Sequence, residues 1–324
     1  APTAVKFNTD HYICGGTYRC TLALRSYPAS TEELALLRRL GEGEVLVPSP
    51  RHPHRLSRIP LTPDVVDCLV FWTKNPTPLL PHLRELEQSG YSFYFQITLT
   101  PYGSQWEPGV PPVTERIAVF QRLASVLGPG QVVWRYDPVL LSPQWTVQAH
   151  QHAFEGLASA LEGCTDQVVF SFLDWYAGMG KRMREVQGRC PSSEEEESLA
   201  AAFVRSARAH GMEASVCCER DFSRLGISAS SCIQRITGFP LKVGRDTGQR
   251  AACHCVKSVD IGTYGTCPHG CRYCYANPGP EAVRRQWERH DPSSPLLLGH
   301  PGPEDEIIPY PAASLRVGQT SLFD

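Results

Sequence analysis

Short runs of apolar, β-branched and aromatic residues alternate with segments whose apolar positions recur at helical spacing. The strand-like runs cover residues 68–73, 91–99, 131–135, 167–172 and 213–217, each bounded by polar or turn-forming residues. Between them, Leu79, Leu83 and Leu86, then Ile117, Phe120, Ala124 and Leu127, fall on single helical faces. Gly90, Gly128, Gly163 and Gly211 each close a helical segment just ahead of the next strand, the place where a left-handed residue ends a helix. Strand alternating with helix is the pattern of a parallel α/β architecture.

Alternation within the runs assigns their faces. Tyr91, Phe93, Phe95, Ile97 and Leu99 share one face, against helices; Gln96, Thr98 and Thr100 share the other, expected to be wet. Arg135 and Asp137 likewise oppose Trp134 and Tyr136. Polar groups gathered at the C-terminal ends of parallel strands are where an α/β barrel holds its ligand, so the pattern predicts a (β/α) barrel of about six units, open or closed, with an open doubly wound sheet as the alternative. Further strands are expected over 18–24 and 256–261. The run of four glutamates after Ser192 looks like an acidic interaction tail, but Leu199, Phe203 and Ala207 follow at helical spacing, and a Ser cap with carboxylates in the first turn suits a helix start. From Pro278 onward Pro and Gly are frequent and periodicity fades. The organisation expected is a divergent segment over 1–42, the α/β barrel with its metal-binding cysteines over 43–277, and a wrapping or extended tail over 278–324.

The chain has 324 residues, 42% of them hydrophobic, and a formal charge of −2. That length and apolar content suit one large domain, or a barrel with an appended module, and the near-neutral balance argues against holding nucleic acid by bulk electrostatics alone. No stretch approaches a membrane helix, and the first residues lack a basic flank followed by an apolar core. A soluble cytoplasmic protein without membrane contact is expected. Basic residues bunch at Arg51, Arg55 and Arg58, at Lys181, Arg182 and Arg184, and at Arg284, Arg285 and Arg289; they track a phosphate backbone if they share one face, and are otherwise solvated surface charge.

Cysteine usage sharpens the picture. Of 13 cysteines, eight fall between Cys217 and Cys274, which points to metal ligation in a reducing compartment rather than a disulfide framework. Cys267, Cys271 and Cys274 have the spacing C-x3-C-x2-C. Three thiolates on one short loop suit three irons of a [4Fe–4S] cluster, leaving the fourth iron open for chemistry. The alternative is a structural zinc with His269 as a fourth ligand, for which the three-residue spacing is poor. Upstream, Cys218, Cys232, Cys253 and Cys255 form a complete set for a second [4Fe–4S] cluster or a zinc ion. Cys217 is the alternate for Cys218, because the two point to opposite faces if the strand continues. His254 could also ligate, although a lone His between two cysteines is more often a bystander. Cys14, Cys20, Cys68, Cys164 and Cys190 have no ligand spacing.

The loop, with aromatic Tyr273 ahead of its third cysteine, resembles that of the radical S-adenosylmethionine (radical SAM) superfamily. The resemblance implies that the open iron and Tyr273 take part in binding S-adenosylmethionine, whose reductive cleavage yields a 5′-deoxyadenosyl radical, and that a reductase or flavodoxin-type protein supplies the electron. Over residues 43–299 the chain is similar to a mostly prokaryotic family catalogued as domain of unknown function 1848. The strings that carry this are Val-Val-Asp-Cys-Leu-Val-Phe-Trp-Thr-Lys-Asn-Pro at 65–76, Phe-Gln-Ile-Thr-Leu-Thr-Pro-Tyr-Gly at 95–103, Trp-Arg-Tyr-Asp-Pro at 134–138, Ser-Phe-Leu-Asp at 171–174, the upstream cysteine set, 267–277, and His-Asp-Pro-Ser-Ser-Pro at 290–295. The resemblance implies a radical SAM-like barrel in permuted order, its cysteine loop following the last strand. Residues 22–28 depart from the family's apolar strand and Arg-Arg-Thr-Asp-type turn.

Lys74, Arg135 and Asp137 are the catalytic candidates, with Asn75, Thr98, Thr100 and Asp174 expected on the same rim. Lys74 would bind a carboxylate or phosphate as a point charge, or else be a solvated strand end. Arg135 and Asp137 bind a ligand, or form a structural ion pair. The stretch Cys271-Arg-Tyr-Cys274-Tyr also resembles spore photoproduct lyase, implying a nucleic-acid substrate, with repair of a damaged base or modification of a normal one as the reaction; such a base must be extruded to react. A peptide or small-molecule substrate is the rival expectation, and a non-catalytic zinc or iron–sulfur binding protein is the alternative of a different class. Gln319, Leu322 and Phe323 resemble the peptides that dock repair proteins on the replication sliding clamp, one polar and two apolar anchors on an exposed tail.

Overall fold

Seven strands run parallel in one sheet, ordered almost as they occur in the chain. In this computed structural model the described residues are 19–20, 32–49, 52, 54–229, 252, 258–262 and 265–316. The sheet takes β1 (Arg19–Cys20), β4 (Leu69–Thr73), β5 (Phe93–Thr98), β6 (Val132–Val139), β7 (Gln167–Phe172), β8 (Glu213–Val216) and β9 (Ser228–Ala229) side by side. The fold is therefore α/β with a parallel sheet. Its order never reverses as that of a doubly wound sheet does. Successive right-handed crossovers place the connecting helices on one face.

The predicted runs become β4 to β8 nearly residue for residue, and β7 has the predicted bounds. Of the outer expectations, 18–24 is described only at Arg19–Cys20, which pair parallel with β4, and 256–261 only from residue 258. Residues 22–28 lie outside the described set. The helices α3 (Val113–Leu127), α4 (Val147–Ala160) and α6 (Ser193–Ala209) cover the apolar face. There Phe154 of α4 and Phe203 of α6 stack with ring centroids 4.2 Å apart, and Trp134 of β6 stacks on Phe154 at 4.7 Å. Ser192 starts α6 as predicted: its hydroxyl accepts the Glu195 N–H at 3.3 Å, and the Glu195 carboxylate accepts the Ser192 N–H at 2.8 Å, a reciprocal cap. The helix-ending glycines take the expected left-handed backbone, as at Gly90 (φ 81°) and Gly211 (φ 73°).

A smaller sheet sits beside the main one. After α1 (Glu32–Glu42), β2 (Glu44–Pro48) and β3 (Arg55–Pro60) form an antiparallel hairpin, and β10 (Glu306–Pro309) joins β3 in parallel. The last part of the chain thus wraps back onto the hairpin, with Leu296 buried against Leu46 and Leu56. Asp67, fully buried, accepts the Ser314 hydroxyl at 2.6 Å and the Leu315 N–H at 2.8 Å. The tail pattern at 319–323 lies outside the described residues. No described helix is long and apolar enough to cross a membrane.

Behind the sheet, His150 of α4 is fully buried between two partners. Nε2 donates to the Leu140 carbonyl at 2.7 Å and Nδ1 accepts the Tyr136 hydroxyl at 2.7 Å, the tautomer that satisfies both. Burial drives its pKa down to about 4, against the opposing bond to Leu140. The ring stays neutral in the fold while it protonates near 6.5 when unfolded, so its contribution is fully present above pH 6.5 and is lost as pH falls to about 4. Chemical denaturation should show stability falling over that window, and His150→Gln, already destabilised, should show a smaller fall; an equal fall in both would assign the effect elsewhere.

Candidate functional site

At the C-terminal ends of β4 to β8 a cleft of about 290 Å³ opens between the strand ends and the cysteine loop. Cys267, Cys271 and Cys274 all line it, as do Lys74, Arg135, Asp137, Asp174, Thr98 and Tyr273. The rim expected from the strand ends is thus assembled in one place, except that Asn75 and Thr100 are not among the lining residues.

The floor is a polar layer packed on an aromatic ring. The Arg135 guanidinium lies 4.3 Å from the Trp72 ring centroid, donates to Gln96 at 3.2 Å and pairs with Asp137 at 2.5 Å. Ser171 donates to the other Asp137 oxygen at 2.5 Å. The pairing of β6 with β7 is irregular between Tyr136 and Val139, and such an irregularity re-aims a side chain; here Asp137 faces the cleft. This face is not wet as expected. Gln96 and Thr98 are 3% and 6% exposed, because they are satisfied by one another's neighbours: Gln96 by Tyr94 and Arg135, Thr98 by the Trp72 indole at 3.0 Å.

The cysteine loop is fastened from two sides. On one, the turn that follows β5 bonds it through the backbone, Gly109 N–H to the His269 carbonyl and Arg272 N–H to the Trp106 carbonyl, both at 2.9 Å. On the other, Arg182 of α5 (Gly180–Glu185) donates to the Cys274 carbonyl at 2.5 Å and the Asn277 carbonyl at 3.0 Å, while the Asn277 amide bonds the Cys267 carbonyl. Gly270 takes φ 63° at the bend of the loop, with Pro108 3.4 Å from where a Cβ would stand, so a side chain there is opposed by both backbone and packing.

Glu107, from the same turn after β5, is the residue that sequence reasoning missed. Its carboxylate is buried, yet it collects partners from four segments: it accepts from Lys74 after β4 at 3.0 Å, Thr100 after β5 at 2.8 Å and the Tyr273 hydroxyl of the cysteine loop, and it is ion-paired with Arg116 of α3, whose Nη1 lies 3.4 Å from Oε2 without a hydrogen bond. Burial would raise its pKa, but the Lys74 and Arg116 charges, with the hydrogen bonds of Tyr273 and Lys74, hold the carboxyl below its usual range. Lys74 is accordingly neither a solvated strand end nor a free point charge; it is half-buried in an ion pair and still lines the cleft.

The thiols fit an iron–sulfur cluster by the chemistry around them. Burial pushes the Cys271 thiol up, with Glu107 adding to the shift and Lys74 opposing it. Burial also raises Cys274, against the backbone N–H groups of Ala276 and Asn277 and the charges of Arg182 and Lys74. Neutral as free thiols, these sulfurs become thiolates when a metal supplies the countercharge, and N–H groups on sulfur together with nearby cations stabilise that state. Among the described residues no three His, Cys, Asp or Glu side chains are set to hold a single metal ion.

The second cysteine set divides differently. Cys232, Cys253, Cys255 and His254 lie outside the described residues. β8 ends at Val216, and Cys218 takes φ 62°, so the extended geometry behind the Cys217/Cys218 alternation does not continue. Cys217 lines the cleft; Cys218 is not among its lining residues. Within the basic bunches, three arginines already have partners. Arg182 is turned inward onto the loop, and Arg55 and Arg58 face Glu306 and Glu44 at 3.8 Å.

A family model described as Domain of unknown function (DUF1848) matches residues 33–276, most of the chain. No curated protein matches it.

Arg182→Ala removes two charge-assisted bonds to loop carbonyls, a loss of roughly 1–3 kcal/mol in local order. Alkylation of Cys274 in metal-free protein should then accelerate severalfold, as read by peptide mass spectrometry; an unchanged rate would show that the loop is held without the clamp.

Proposed function

Because the chain belongs to the DUF1848 family, whose description names no reaction, we propose its function from the cleft: a radical SAM enzyme with a [4Fe–4S] cluster on Cys267, Cys271 and Cys274. The observation that carries this reading is that all three thiols of the C-x3-C-x2-C loop line one cleft at the C-terminal ends of parallel strands, where α/β folds bind ligands. When bound, the cluster and S-adenosylmethionine supply a 5′-deoxyadenosyl radical that abstracts a substrate hydrogen. The unreversed strand order, with helices on one face, supports a radical SAM-like barrel in permuted order. The upstream cysteines remain the proposed second centre, a [4Fe–4S] cluster or zinc.

This chain's own residues would shape that chemistry. Tyr273, buried and bonded to Glu107, closes the cleft behind the loop; Tyr176 and Tyr275, with ring centroids 4.8 Å apart, wall its other side. Both exclude water from a site where a radical must not be quenched. Asp137, held by Arg135 and Ser171, presents a fixed carboxylate to a ligand amine or hydroxyl.

Ion pairing of surface arginines favours a peptide or small molecule over a nucleic-acid backbone. Arg189 pairs with Glu195, Arg220 with Glu196 and Glu197, and Arg272 with Glu185, so these arginines are already neutralised. Gln319, Leu322 and Phe323 favour the second reading, a DNA base reached with help from the sliding clamp. A reductase or flavodoxin-type donor would supply the electron in either case, in a cytoplasmic setting.

Anaerobic reconstitution should load about four irons on the loop and about eight if the second centre is also a cluster, with 5′-deoxyadenosine released from S-adenosylmethionine. The triple Cys→Ala variant at 267, 271 and 274 should abolish that release and leave the second centre. Zinc content without nucleoside would sink the enzyme in favour of a metal-binding protein. Irradiated DNA and a metabolite extract, supplied separately, should differ in the nucleoside release they stimulate.

Deleting residues 319–324 should abolish recovery of the protein on immobilised sliding clamp. Equal recovery of both forms would retire the clamp as a partner.

A further inference from the structure

We propose that Lys74 and Glu107 tune the reduction potential of the loop's cluster in opposite directions, Lys74 raising it and Glu107 lowering it, as one buried charge pair. The inference rests on the cluster proposed above. Lys74, Arg116 and Glu107 make a buried group with two cations and one carboxylate, an arrangement left with one uncompensated positive charge. Arg116 faces away from the cleft, its Nε bonded to the Pro111 carbonyl at 3.0 Å and its Nη2 to the Tyr102 carbonyl at 3.2 Å. Lys74 is the cation on the cleft side: it lines the cavity with the three cysteines, and its ammonium lies 5.7 Å from the Tyr273 ring centroid.

A cluster on three thiolates carries negative charge and gains one more on one-electron reduction by the donor protein. In a dry site a nearby fixed cation favours the reduced form and a fixed anion opposes it, with little screening. Both charges stand beside the loop: Lys74 lines the cleft with the three cysteines, and the Glu107 carboxylate bonds Tyr273, which lies between Cys271 and Cys274 in the chain. The pairing also explains the position of Tyr273. One carboxylate oxygen accepts both Lys74 and Tyr273, so the residue that balances the lysine also fixes the loop that carries the sulfurs. These are positioning residues, acting on the cluster through charge.

The test is a potentiometric titration of reconstituted full-length protein, followed by electron paramagnetic resonance of the reduced cluster. Lys74→Met should lower the midpoint potential, Glu107→Gln should raise it, and Lys74→Arg, which keeps the charge, should stay near the wild-type value. A structural role alone would move the variants in the same direction or lower iron content without a shift. Should Glu107→Gln fail to fold, the contrast between Lys74→Met and Lys74→Arg decides: equal potentials in those two overturn the proposal. Wild-type protein that takes up no iron overturns the cluster and this inference with it, whereas iron-loaded variants with unmoved potentials overturn the inference alone.

Discussion

One buried carboxylate ties the molecule together. Glu107 has no regular secondary structure to hold it, yet it gathers Lys74, Thr100, Arg116 and Tyr273 from the end of β4, the end of β5, the α3 helix and the cysteine loop. Removing a charge from water is costly unless it is paired and hydrogen-bonded, so burying this carboxylate requires all four segments to be in place together. The floor of the cleft and the loop that roofs it are therefore registered against each other by a single side chain. The Arg182 clamp and the backbone bonds from residues 106 and 109 then hold the loop along its length.

The two faces of the sheet divide structure from chemistry. On the helix side, aromatic stacking among Trp134, Phe154 and Phe203 fills the core, and a polar pair there, Tyr136 with His150, is internally satisfied. On the other side the same strands present Gln96, Thr98, Arg135 and Asp137. Gln96, Thr98 and Arg135 are as deeply enclosed as many core residues, while Asp137 is more open to the cleft; all four are satisfied within the layer or by neighbouring strands. A site preorganised in this way needs little rearrangement to receive a ligand.

Much of this was readable from residue pattern alone. Strict alternation in β5 and at the end of β6 identified which side chains share the cleft face, and the Ser192 cap separated a helix start from an acidic tail. The cysteine spacing located the loop. Glu107 was not legible because its turn has no periodicity, and its importance comes from four partners spread between residues 74 and 273. Arg182 was hidden in a basic bunch, since composition cannot show that a guanidinium turns inward to carbonyls. The Cys217/Cys218 argument failed for a local reason: it assumed extended backbone beyond Val216, where the chain instead enters a left-handed turn at Cys218. The wet face expected of β5 turned out enclosed, because polarity alone does not distinguish solvent from a satisfied polar layer.

The parallel pairing of β10 with β3 joins residues 306–309 to 55–58, which has a bearing on how the chain is made. During synthesis the β2–β3 hairpin emerges well before the segment that carries β10, and the edge of β3 that β10 covers stays open until residues 306–309 follow. An uncovered edge is a template for pairing with another nascent chain, and contacts this distant in sequence form slowly. Arg55 on that strand, which faces Glu306 only once β10 is in place, leaves an unpaired positive charge on the waiting edge. Like-charged edges repel, so the same arginine that finishes in a surface ion pair would guard the hairpin during its exposed interval.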